Sequence, residues 1–519
     1  MTLIARIGTR LDAIRRWEST LVVVAGITIM GVGLAMIGPL ITGLLYGENV
    51  RAFFLPVIGC MCVSLPMFML FRFGKGLRPV DGLLLIIAVW GLVTLTAAIP
   101  FFLSGMTFVD GFFESVSGFT TTGATVMTDI DLAPRSLLLW RAITQWAGGI
   151  AVILIFIALF PMLGFGGRSM FSNEMSGSGS KNLTARMTDV ALQFILVYAI
   201  LSGIFLVISI LMGVDPFEAV CLTFSTISTG GFMIHDDSAA ILPSYVQMLM
   251  LVFMFLGATN FYLHYQRMYR KKGAGYLKNA EFRWMLMIFA IASVIIFLLT
   301  FTETGNDLLM HAKDVVFTVV SIGSSTGFMV VDTATWKNVA MGAVGVIFIL
   351  ALIGGSSGST AGGLKMGRAS AILMHLTVDV KKRLYPRGVF ETKVGGEALD
   401  ESTLNAAYVL FILFAITILG GMVVLMMLEP GLGLDGSLFA SLTSVTNCGH
   451  IVPFDAVGYE DGFVAFNDYS KLFLSALMWI GRLEIGTAII LLTPYFWKEI
   501  FRGRRKIRRE ARQKRSGSA

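Results

Sequence analysis

A short break rich in Gly and Thr recurs four times along the chain, each time after a short apolar segment and before a long one. The four copies span residues 117–125, 226–232, 322–328 and 444–450. We align them on one glycine each: Gly123, Gly230, Gly327 and Gly449. The spacing of roughly a hundred residues is too long for a solenoid and fits one membrane module, so four copies predict a ring.

Each break is introduced by an aspartate and about a dozen apolar and small residues. The aspartates are Asp110, Asp215, Asp314 and Asp435. Aspartate is a favoured helix N-cap, and Pro216 adds the proline preferred at the first helical position. We therefore predict a helix of about ten residues before each break, whereas about twenty are needed to cross a bilayer. Such a helix should stop partway across the membrane, as a re-entrant pore helix.

The composition excludes an ordinary soluble protein. Of the 519 residues, 55% are hydrophobic and only 14% are charged, whereas soluble domains carry about 25% charged residues. The net charge of +7 is better explained by Lys and Arg in cytoplasmic loops than by nucleic-acid binding. Residues 1–20 are polar and contain Arg, so a cleavable signal peptide is not expected. The four cysteines show no metal-ligand spacing and predict small buried residues rather than disulfides.

The apolar segments predict an all-α polytopic membrane protein with about ten transmembrane helices and four re-entrant pore helices. A leading hairpin covers residues 20–46 and 51–71. The first helices of the four membrane-pore-membrane units are expected near residues 81–104, 188–213, 283–302 and 404–428. The second helices are expected near residues 137–163, 242–268, 338–384 and 466–497. The corresponding divisions are 1–79 for the hairpin, 80–165, 186–270, 280–385 and 400–499 for the pseudo-fourfold repeats, and 500–519 for a basic tail.

Basic residues lie on one side of these predicted helices. They follow the second, fourth, sixth and eighth helices and fill the tail, so these loops and both termini are expected to be cytoplasmic. The opposite loops carry acidic residues: Asp129, Asp131, Asp236, Asp237, Asp332, Asp455, Glu460 and Asp461. An acidic outer mouth would raise the local cation concentration. The alternative is that acidic residues are simply tolerated outside.

The four breaks predict a cation filter. Non-helical backbone within a bilayer is tolerated only where it is buried in protein or lines a watery cavity. Helix C-termini are partially negative, and carbonyls freed by a Gly-rich turn can replace the hydration shell of a monovalent cation. The alternative is four turns that merely connect helices. The predicted filter comprises Thr121, Thr122, Gly123, Ser228, Thr229, Gly230, Ser325, Thr326, Gly327, Asn447, Cys448 and Gly449, and the carbonyls of all but its glycines are expected to bind the ion.

A second Gly-rich run interrupts the eighth predicted helix, whose fifty or so residues exceed one crossing. It reads Gly354, Gly355, Ser356, Ser357, Gly358, Ser359, Thr360, Ala361, Gly362 and Gly363. Because each Gly costs a helix about 1 kcal/mol relative to Ala, the run is expected to form a flexible plug beneath the filter. The alternative of a phosphate-binding loop is disfavoured, since the run lacks Gly-Lys-Ser/Thr and has no preceding strand.

Charged residues inside the last predicted helix also indicate function. Arg482 and Glu484 lie in an apolar run, where an ionised side chain needs a partner or water. We expect Arg482 to face the cavity, to hydrogen-bond carbonyls of the 354–363 run and to add a positive barrier below the filter. The alternative is a structural pair with a carboxylate. Lys365 and Arg368 are expected to snorkel to the cytoplasmic surface or to serve as a docking site.

These motifs together resemble the Trk/Ktr/HKT superfamily of potassium transporters, and the leading hairpin resembles its bacterial Trk branch. Beyond the breaks, the resemblance is carried by Trp140-Arg141, Gln145-Trp146, Gly148-Gly149, the 354–363 run, residues 481–485 and residues 493–497. In this superfamily, glycine at all four filter positions accompanies potassium selectivity. The resemblance therefore implies K⁺ as the transported ion, with no organic cofactor in the chain. The fourth break and the extra Gly231 make the symmetry approximate, which leaves some sodium permeation open.

The resemblance also implies how the protein works and where. The 354–363 run corresponds to the family's intramembrane gate, and transport would be channel-like. Family members form homodimers in the bacterial inner membrane and bind a cytosolic, TrkA-like ring of nucleotide-binding regulatory subunits. Basic loops would suit that ring or anionic lipids. A secondary carrier coupled to H⁺ or Na⁺ stays open, although carriers usually consist of inverted halves. No motif of a membrane-embedded enzyme is found, so an enzyme is not expected.

Overall fold

A computed structural model describes residues 16–71, 79–163, 183–269, 275–301, 308–330, 341–449 and 462–483, with 485–486, 488 and 493–498 beyond them. Some of the residues singled out in the sequence lie outside this described part. They are Glu484, Asp332, Asp455, Glu460, Asp461, the terminal tail from residue 500 and some of the basic residues of the predicted cytoplasmic loops.

The predicted leading hairpin is confirmed. Helices α1 (Arg16–Ala35) and α2 (Ile37–Tyr46) form one apolar stretch, and α3 (Arg51–Leu70) returns beside it. The two arms approach closely, because a methyl group on Gly33 would lie 2.7 Å from the Cβ of Cys60. Small residues at such a contact let transmembrane helices pack tightly. The buried thiol of Cys60 thus serves as a small packing residue.

Each of the four predicted repeats begins with a long apolar helix that is followed by a shorter one. The long helices are α4 (Pro79–Leu103), α7 (Leu183–Leu211), α11 (Ala280–Thr300) and α15 (Glu401–Leu428). The short ones, which we call the pore helices, are α5 (Phe108–Phe119), α8 (Pro216–Ile227), α12 (Leu308–Gly323) and α16 (Gly433–Thr446). None of the pore helices exceeds 16 residues, so each is too short to cross a bilayer.

The predicted aspartate caps are right at only one pore helix. The carboxylate of Asp215 accepts the N–H groups of Phe217 and Glu218. At α5 the cap is Thr107, which accepts the N–H of Asp110, so the aspartate lies in the first turn. Two further aspartates fall within helices: Asp314 inside α12, and Asp435 at the third position of α16. The prediction is wrong there because these helices begin before the aspartate, α12 at Leu308 and α16 at Gly433.

The four returning helices differ from one another. Helix α6 (Arg135–Leu163) is continuous, whereas α9 (Ser244–Gly257) and α10 (Phe261–Tyr269) are bent by 97° at a short break. We predicted a continuous helix there, and this part of the prediction is wrong. The predicted interruption at residues 354–363 is confirmed, since it separates α13 (Met341–Ile353) from α14 (Met366–Leu384). The last return is α17 (Asp468–Arg482), and strands β1 (Lys393–Val394) and β2 (Glu397–Ala398) form a small hairpin between α14 and α15.

Burial is concentrated around the pore helices. Among the described residues, seven helices are long and apolar enough to cross a membrane, and the bent pair α9–α10 would make an eighth. In α11 only 22% of the most apolar window is buried, compared with 56% in α6. The largest apolar cluster joins residues of all four pore helices, including Phe113, Leu222, Phe317 and Leu442. The molecule therefore exposes apolar surface outward, as a protein in a bilayer must.

Candidate ion pathway

Each pore helix ends in the same left-handed turn. The residues with positive φ are Thr121, Thr229, Ser325 and Asn447, at +49° to +57°. The following residue donates its N–H to a carbonyl five positions earlier, for example from Thr122 to Ser117 at 2.9 Å and from Thr326 to Ser321 at 2.8 Å. This is the bond of a Schellman cap, which usually places Gly in the left-handed position. Here polar side chains occupy it, at a backbone cost of about 1 kcal/mol each.

The backbone corrects the alignment of the second break. The N–H of Gly230 donates to the carbonyl of Ser225 at 2.8 Å, which is the bond that Thr122 and Thr326 make in their own turns. Gly231 then has φ +87°, like Gly123 and Gly327 at +83°. Gly231 is therefore the equivalent of Gly123. The predicted triplet of Ser228, Thr229 and Gly230 is wrong by one residue, and the equivalent triplet is Thr229 to Gly231.

The four turns meet at one centre. A methyl group on Gly123 would lie 2.3 Å from the carbonyl oxygen of Gly230. The same test places Gly231 2.0 Å from the carbonyl oxygen of Thr326 and Gly449 2.5 Å from that of Thr122. The fourth neighbour pair is joined by the thiol of Cys448, which donates to the carbonyl of Ile322 at 3.4 Å. The turns therefore close a ring in chain order, and backbone oxygens leave no room for a Cβ at these glycines.

A glutamine supports the second turn from behind. The side-chain amide of Gln145, in α6, donates to the carbonyl of Gly230 at 2.7 Å. Its oxygen accepts the N–H of Phe232 at 3.1 Å and the hydroxyl of Ser225 at 2.7 Å. Gln145 is fully buried, so these bonds satisfy its polar atoms where water is absent. The glutamine thereby fixes both ends of the turn.

A buried ion pair ties the first turn to the second. The guanidinium of Arg141 lies 2.7 Å from the carboxylate of Glu114 and donates to the carbonyl of Met233 at 2.9 Å. Glu114 in turn accepts the N–H of Val126 at 3.2 Å and the hydroxyl of Thr125. Breaking such a buried pair is strongly destabilising because one charge is left uncompensated. The extended segments that follow the first two turns are therefore held together.

The fourth turn is tied to the first. The amide of Asn447 donates to the hydroxyl of Thr122 at 2.9 Å and to the carbonyl of Met478 at 3.0 Å. The hydroxyls of Thr120 and Thr122 are themselves 2.7 Å apart, as are those of Ser324 and Thr326 in the third turn. The Asn447 bond joins two neighbouring turns, whereas each hydroxyl pair braces a single turn from within.

The 354–363 loop contacts the base of three turns. Its Thr360 hydroxyl lies 3.1 Å from that of Thr229. The N–H of Gly362 donates to the Ser325 hydroxyl at 2.6 Å, and that of Gly363 to the carbonyl of Thr446 at 3.1 Å. A methyl group on Gly362 would lie 1.9 Å from the Thr446 oxygen. The loop thus lies directly against the ring, as the predicted plug should.

The break in the bent return helix receives this loop. The N–H of Ser356 donates to the carbonyl of Ala258 at 2.9 Å, and the N–H of Thr360 to that of Gly257 at 3.3 Å. In the other direction, the N–H of Phe261 donates to the carbonyl of Gly358 at 3.1 Å. Two interrupted helices therefore satisfy each other's backbone groups, which is what permits irregular backbone at this depth.

Arg482 joins the loop to the first turn. Its guanidinium donates to the carbonyl of Thr360 at 2.7 Å and to the hydroxyl of Thr121, which agrees with the expected contact to loop carbonyls. Together with Lys365 and the loop it lines a cavity of about 30 Å³. Lys365 and Arg368 do not reach the surface, since they are 8% and 4% exposed and donate to the carbonyls of Ala361 and Leu364. The snorkelling prediction is wrong, because both side chains fold back onto the loop and α14.

The loops on the other side of the ring are joined by a histidine. His235 lies 2.7 Å from the carboxylate of Asp131 and 3.1 Å from that of Glu218. Burial favours the neutral imidazole, but hydrogen bonds to Asp131 and Glu218 outweigh it and raise the pKa of His235. The hydrogen bond from His235 lowers the pKa of Asp131. Asp236 also accepts the N–H of Ile130 at 2.8 Å, so two acidic residues predicted for an outer mouth serve as loop contacts.

The roles of the residues behind the ring are not evident from the sequence. Arg141 and Gln145 belong to motifs that carry the family resemblance, whereas Glu114 belongs to none of them. A charged residue within an apolar segment generally indicates function or pairing with another charge. Glu114 and Arg141 both lie in such segments, so this signal could have identified them. Nothing in the local sequence of Gln145 shows that it bonds a turn 85 residues away.

The arrangement suits a cation. Four helix C-termini, each with partial negative charge, end at the ring, and at least three backbone oxygens lie against neighbouring glycines there. Carbonyl oxygens in a ring can take the place of water around a monovalent ion. Arg482, beneath the ring, opposes a cation at that depth.

Known proteins share this architecture. The family model described as cation transport protein TrkH matches residues 52–498. The Trk system potassium uptake protein TrkH of Escherichia coli K12 is 30% identical over 472 residues, which cover 89% of this chain and 96% of that protein. The TrkH protein of Vibrio parahaemolyticus is 30% identical over 92% of this chain and 98% of its own. The crystal structure of the potassium transporter TrkH from Vibrio parahaemolyticus superposes with a TM-score of 0.82, at 28% identity, over 92% of this chain and 99% of that one.

Proposed function

Since the chain belongs to the TrkH family of cation transport proteins, and is an integral membrane protein, we propose that it carries K⁺ into the cell through the ring of four turns. The two TrkH relatives from Escherichia coli and Vibrio parahaemolyticus are named potassium uptake proteins. K⁺ is the transported ion and not a resident cofactor.

The observation that most supports this proposal is the convergence of the four turns at one centre. Carbonyl oxygens of Thr122, Gly230 and Thr326 lie against the filter glycine of a neighbouring turn, so the oxygens converge while side chains are kept out. In the corrected register the selectivity filter comprises Thr121 to Gly123, Thr229 to Gly231, Ser325 to Gly327 and Asn447 to Gly449. A dehydrated K⁺ would be held there by backbone oxygens, as in other carbonyl filters.

The 354–363 loop and Arg482 form the gate of this proposed pathway. The loop is hydrogen-bonded to the second, third and fourth turns, and Arg482 bonds the first turn as well as the loop. An ion leaving the ring meets this loop and a fixed positive charge. Passage requires the loop to move aside, which breaks these bonds together.

The proposed setting is the bacterial inner membrane, with both termini in the cytoplasm. The basic end of α14, Lys381 to Arg383, and the β1–β2 hairpin would then form part of the cytoplasmic surface. A homodimer and a cytosolic TrkA-like nucleotide-binding ring belong to the same proposal. Size-exclusion chromatography with light scattering, alone and with the candidate subunit, tests both.

Flux into liposomes that contain only this protein tests the filter. We expect K⁺ to enter faster than Na⁺, and Gly123→Ser to reduce that preference, because its Cβ would meet the Gly230 oxygen. Gly213→Ser is the matched control: Gly213 has φ +88° but nothing within 4 Å of its added Cβ. Equal entry of both ions, unchanged by Gly123→Ser, would rule the proposal out. An imposed proton gradient that drives K⁺ against its own gradient would instead indicate a coupled carrier.

A further inference from the structure

We propose that Glu281 is a positioning residue that latches the 354–363 loop to the start of α11, so that the loop leaves the ring only when this latch opens. The inference rests on the proposed function, because it assigns a control point to the same gate.

The contact is direct. Glu281 is the second residue of α11 and is half-buried, and its carboxylate accepts the N–H of Ser357 at 2.6 Å. A hydrogen bond to a carboxylate is roughly twice as strong as one between neutral groups. Ser357 lies next to Ser356, whose N–H bonds Ala258. The loop is thus held by the break between α9 and α10 on one side and by Glu281 on the other.

The same carboxylate serves the helix that follows the loop. A methyl group on Gly367, in the first turn of α14, would lie 3.0 Å from Glu281 Oε1. The N-cap position of α14 is Lys365, whose side chain makes no cap bond. A negative charge near a helix N-terminus is favourable, so Glu281 supplies from another helix what the local sequence lacks. Glu281 therefore contacts both the loop, at Ser357, and the helix that begins directly after it, at Gly367.

The small hairpin lies directly behind the latch. Gly395, with φ +66°, is in the turn between β1 and β2, and a methyl group there would lie 2.8 Å from the Cβ of Ala280. Ala280 precedes Glu281 in the chain. A displacement of this hairpin toward α11 would press on the residue that begins α11, which places a surface segment two contacts away from the gate loop.

The test compares Glu281→Ala and Glu281→Gln with the full-length parent in K⁺-loaded and Na⁺-loaded liposomes. We expect about tenfold higher K⁺ flux for Glu281→Ala, the ratio that corresponds to losing about 1.4 kcal/mol from one hydrogen bond to a charged group. Glu281→Gln should give a smaller increase, because its amide oxygen still accepts a bond. The K⁺ to Na⁺ ratio should not change, since the ring is untouched. Glu401→Ala, an exposed carboxylate in the first turn of α15, should behave as the parent.

Parent-level or lower K⁺ flux in a Glu281→Ala protein that elutes and melts as the parent does would overturn the latch. If that variant does not fold, parent-level flux of Glu281→Gln overturns it. The proposed function is judged separately in the same assay: it fails if the parent itself shows no preference for K⁺, whatever Glu281 does.

Discussion

At the scale of single residues, the side chains that shape the ring lie behind it. Gln145 is hydrogen-bonded to the second turn at both ends, and Arg141 joins the extended segments that follow the first two turns. None of these groups needs to touch an ion. Their effect is to hold carbonyl oxygens at fixed positions, and a ring that discriminates between ions of different radius depends on how those oxygens are held.

Replacing Gln145 should therefore affect selectivity. Gln145→Leu removes the bonds to Gly230, Phe232 and Ser225 and leaves buried polar groups unsatisfied, which costs about 1–3 kcal/mol. We expect a lower melting temperature and a reduced preference for K⁺ over Na⁺ in liposome flux. Gln247→Leu is the control, because this buried glutamine bonds Ala239 and Leu242 instead, away from the ring. Equal selectivity loss in both variants would contradict a specific role for Gln145.

The His235 contact predicts a pH dependence of stability. The folded-state pKa of His235 is raised and that of Asp131 is lowered. The contribution from His235 is complete below its unfolded pKa of about 6.5 and is lost as the pH rises through the raised value. The contribution from Asp131 is present above its unfolded pKa of about 3.9 and is lost as the pH falls through the lowered value.

Thermal melts in detergent between pH 4 and 9 check this pH dependence. We expect His235→Gln to lower the melting temperature most between about pH 4 and 6.5 and to have little effect at the alkaline end. A difference between parent and variant that is constant across this range would mean that the contact contributes no charge interaction.

Residue-level features were only partly accessible from the sequence. The spacing of the breaks located the ring, but either Gly230 or Gly231 satisfies the spacing, and only the backbone angles distinguish them. His235 and Asp131 are 104 positions apart, and no local pattern links them. The position of Lys365 directly after the 354–363 loop favours a side chain that snorkels to the surface, yet Lys365 is buried against that loop.

At the scale of elements, two interrupted helices hold each other in place beneath the ring. The bend between α9 and α10 and the 354–363 loop exchange backbone hydrogen bonds, so neither break leaves polar backbone unpaired. The Gly/Ser composition of the loop predicted its break, because such a run cannot continue an apolar helix cheaply. The bend at residues 258–260 has only Gly257 before it, a residue that transmembrane helices tolerate, and it was missed.

A bulkier residue in the 354–363 loop should open the proposed gate. Gly362→Ala would place a Cβ 1.9 Å from the Thr446 oxygen, so the loop must withdraw from the fourth turn, and we expect K⁺ flux above that of the parent. Arg482→Gln should act in the same direction, because it removes both the positive charge and the bond to Thr360. Gly345→Ala in α13 is the control, since nothing lies within 4 Å of its added Cβ. Parent-level flux in both Gly362→Ala and Arg482→Gln would contradict the plug.

At the scale of the whole molecule, closure of the ring joins the first repeat to the last. Lys471, at the start of α17, lies 2.7 Å from Asp110 in the first pore helix, and both side chains are largely buried. Asn447 adds a second connection, to Thr122. These contacts join residues more than 300 positions apart, so they form only when the chain is complete. Repeat order and the re-entrant helices were predictable from hydropathy and length, but these closing contacts were not.

Breaking this contact should destabilise the protein as a whole. We expect Lys471→Met to cost about 2–3 kcal/mol, because the half-buried carboxylate of Asp110 then keeps only its hydrogen bond from the Thr107 hydroxyl. The double variant Asp110→Asn with Lys471→Met should recover part of the loss, since no lone charge remains. Lys393→Met, at an exposed pair with Glu391, should change stability by less than about 1 kcal/mol. Thermal melts of the four proteins provide the comparison, and equal shifts for the Lys471 and Lys393 variants would contradict it.

Because one polypeptide supplies all four turns, a mutation can change one quarter of the ring without changing the others. A single codon change at Thr122 or Cys448 alters one turn of the ring only. In a pore of four identical subunits, the same change would appear in all four turns. Unequal turns, such as the one that ends in Asn447 and Cys448, can therefore accumulate by small steps.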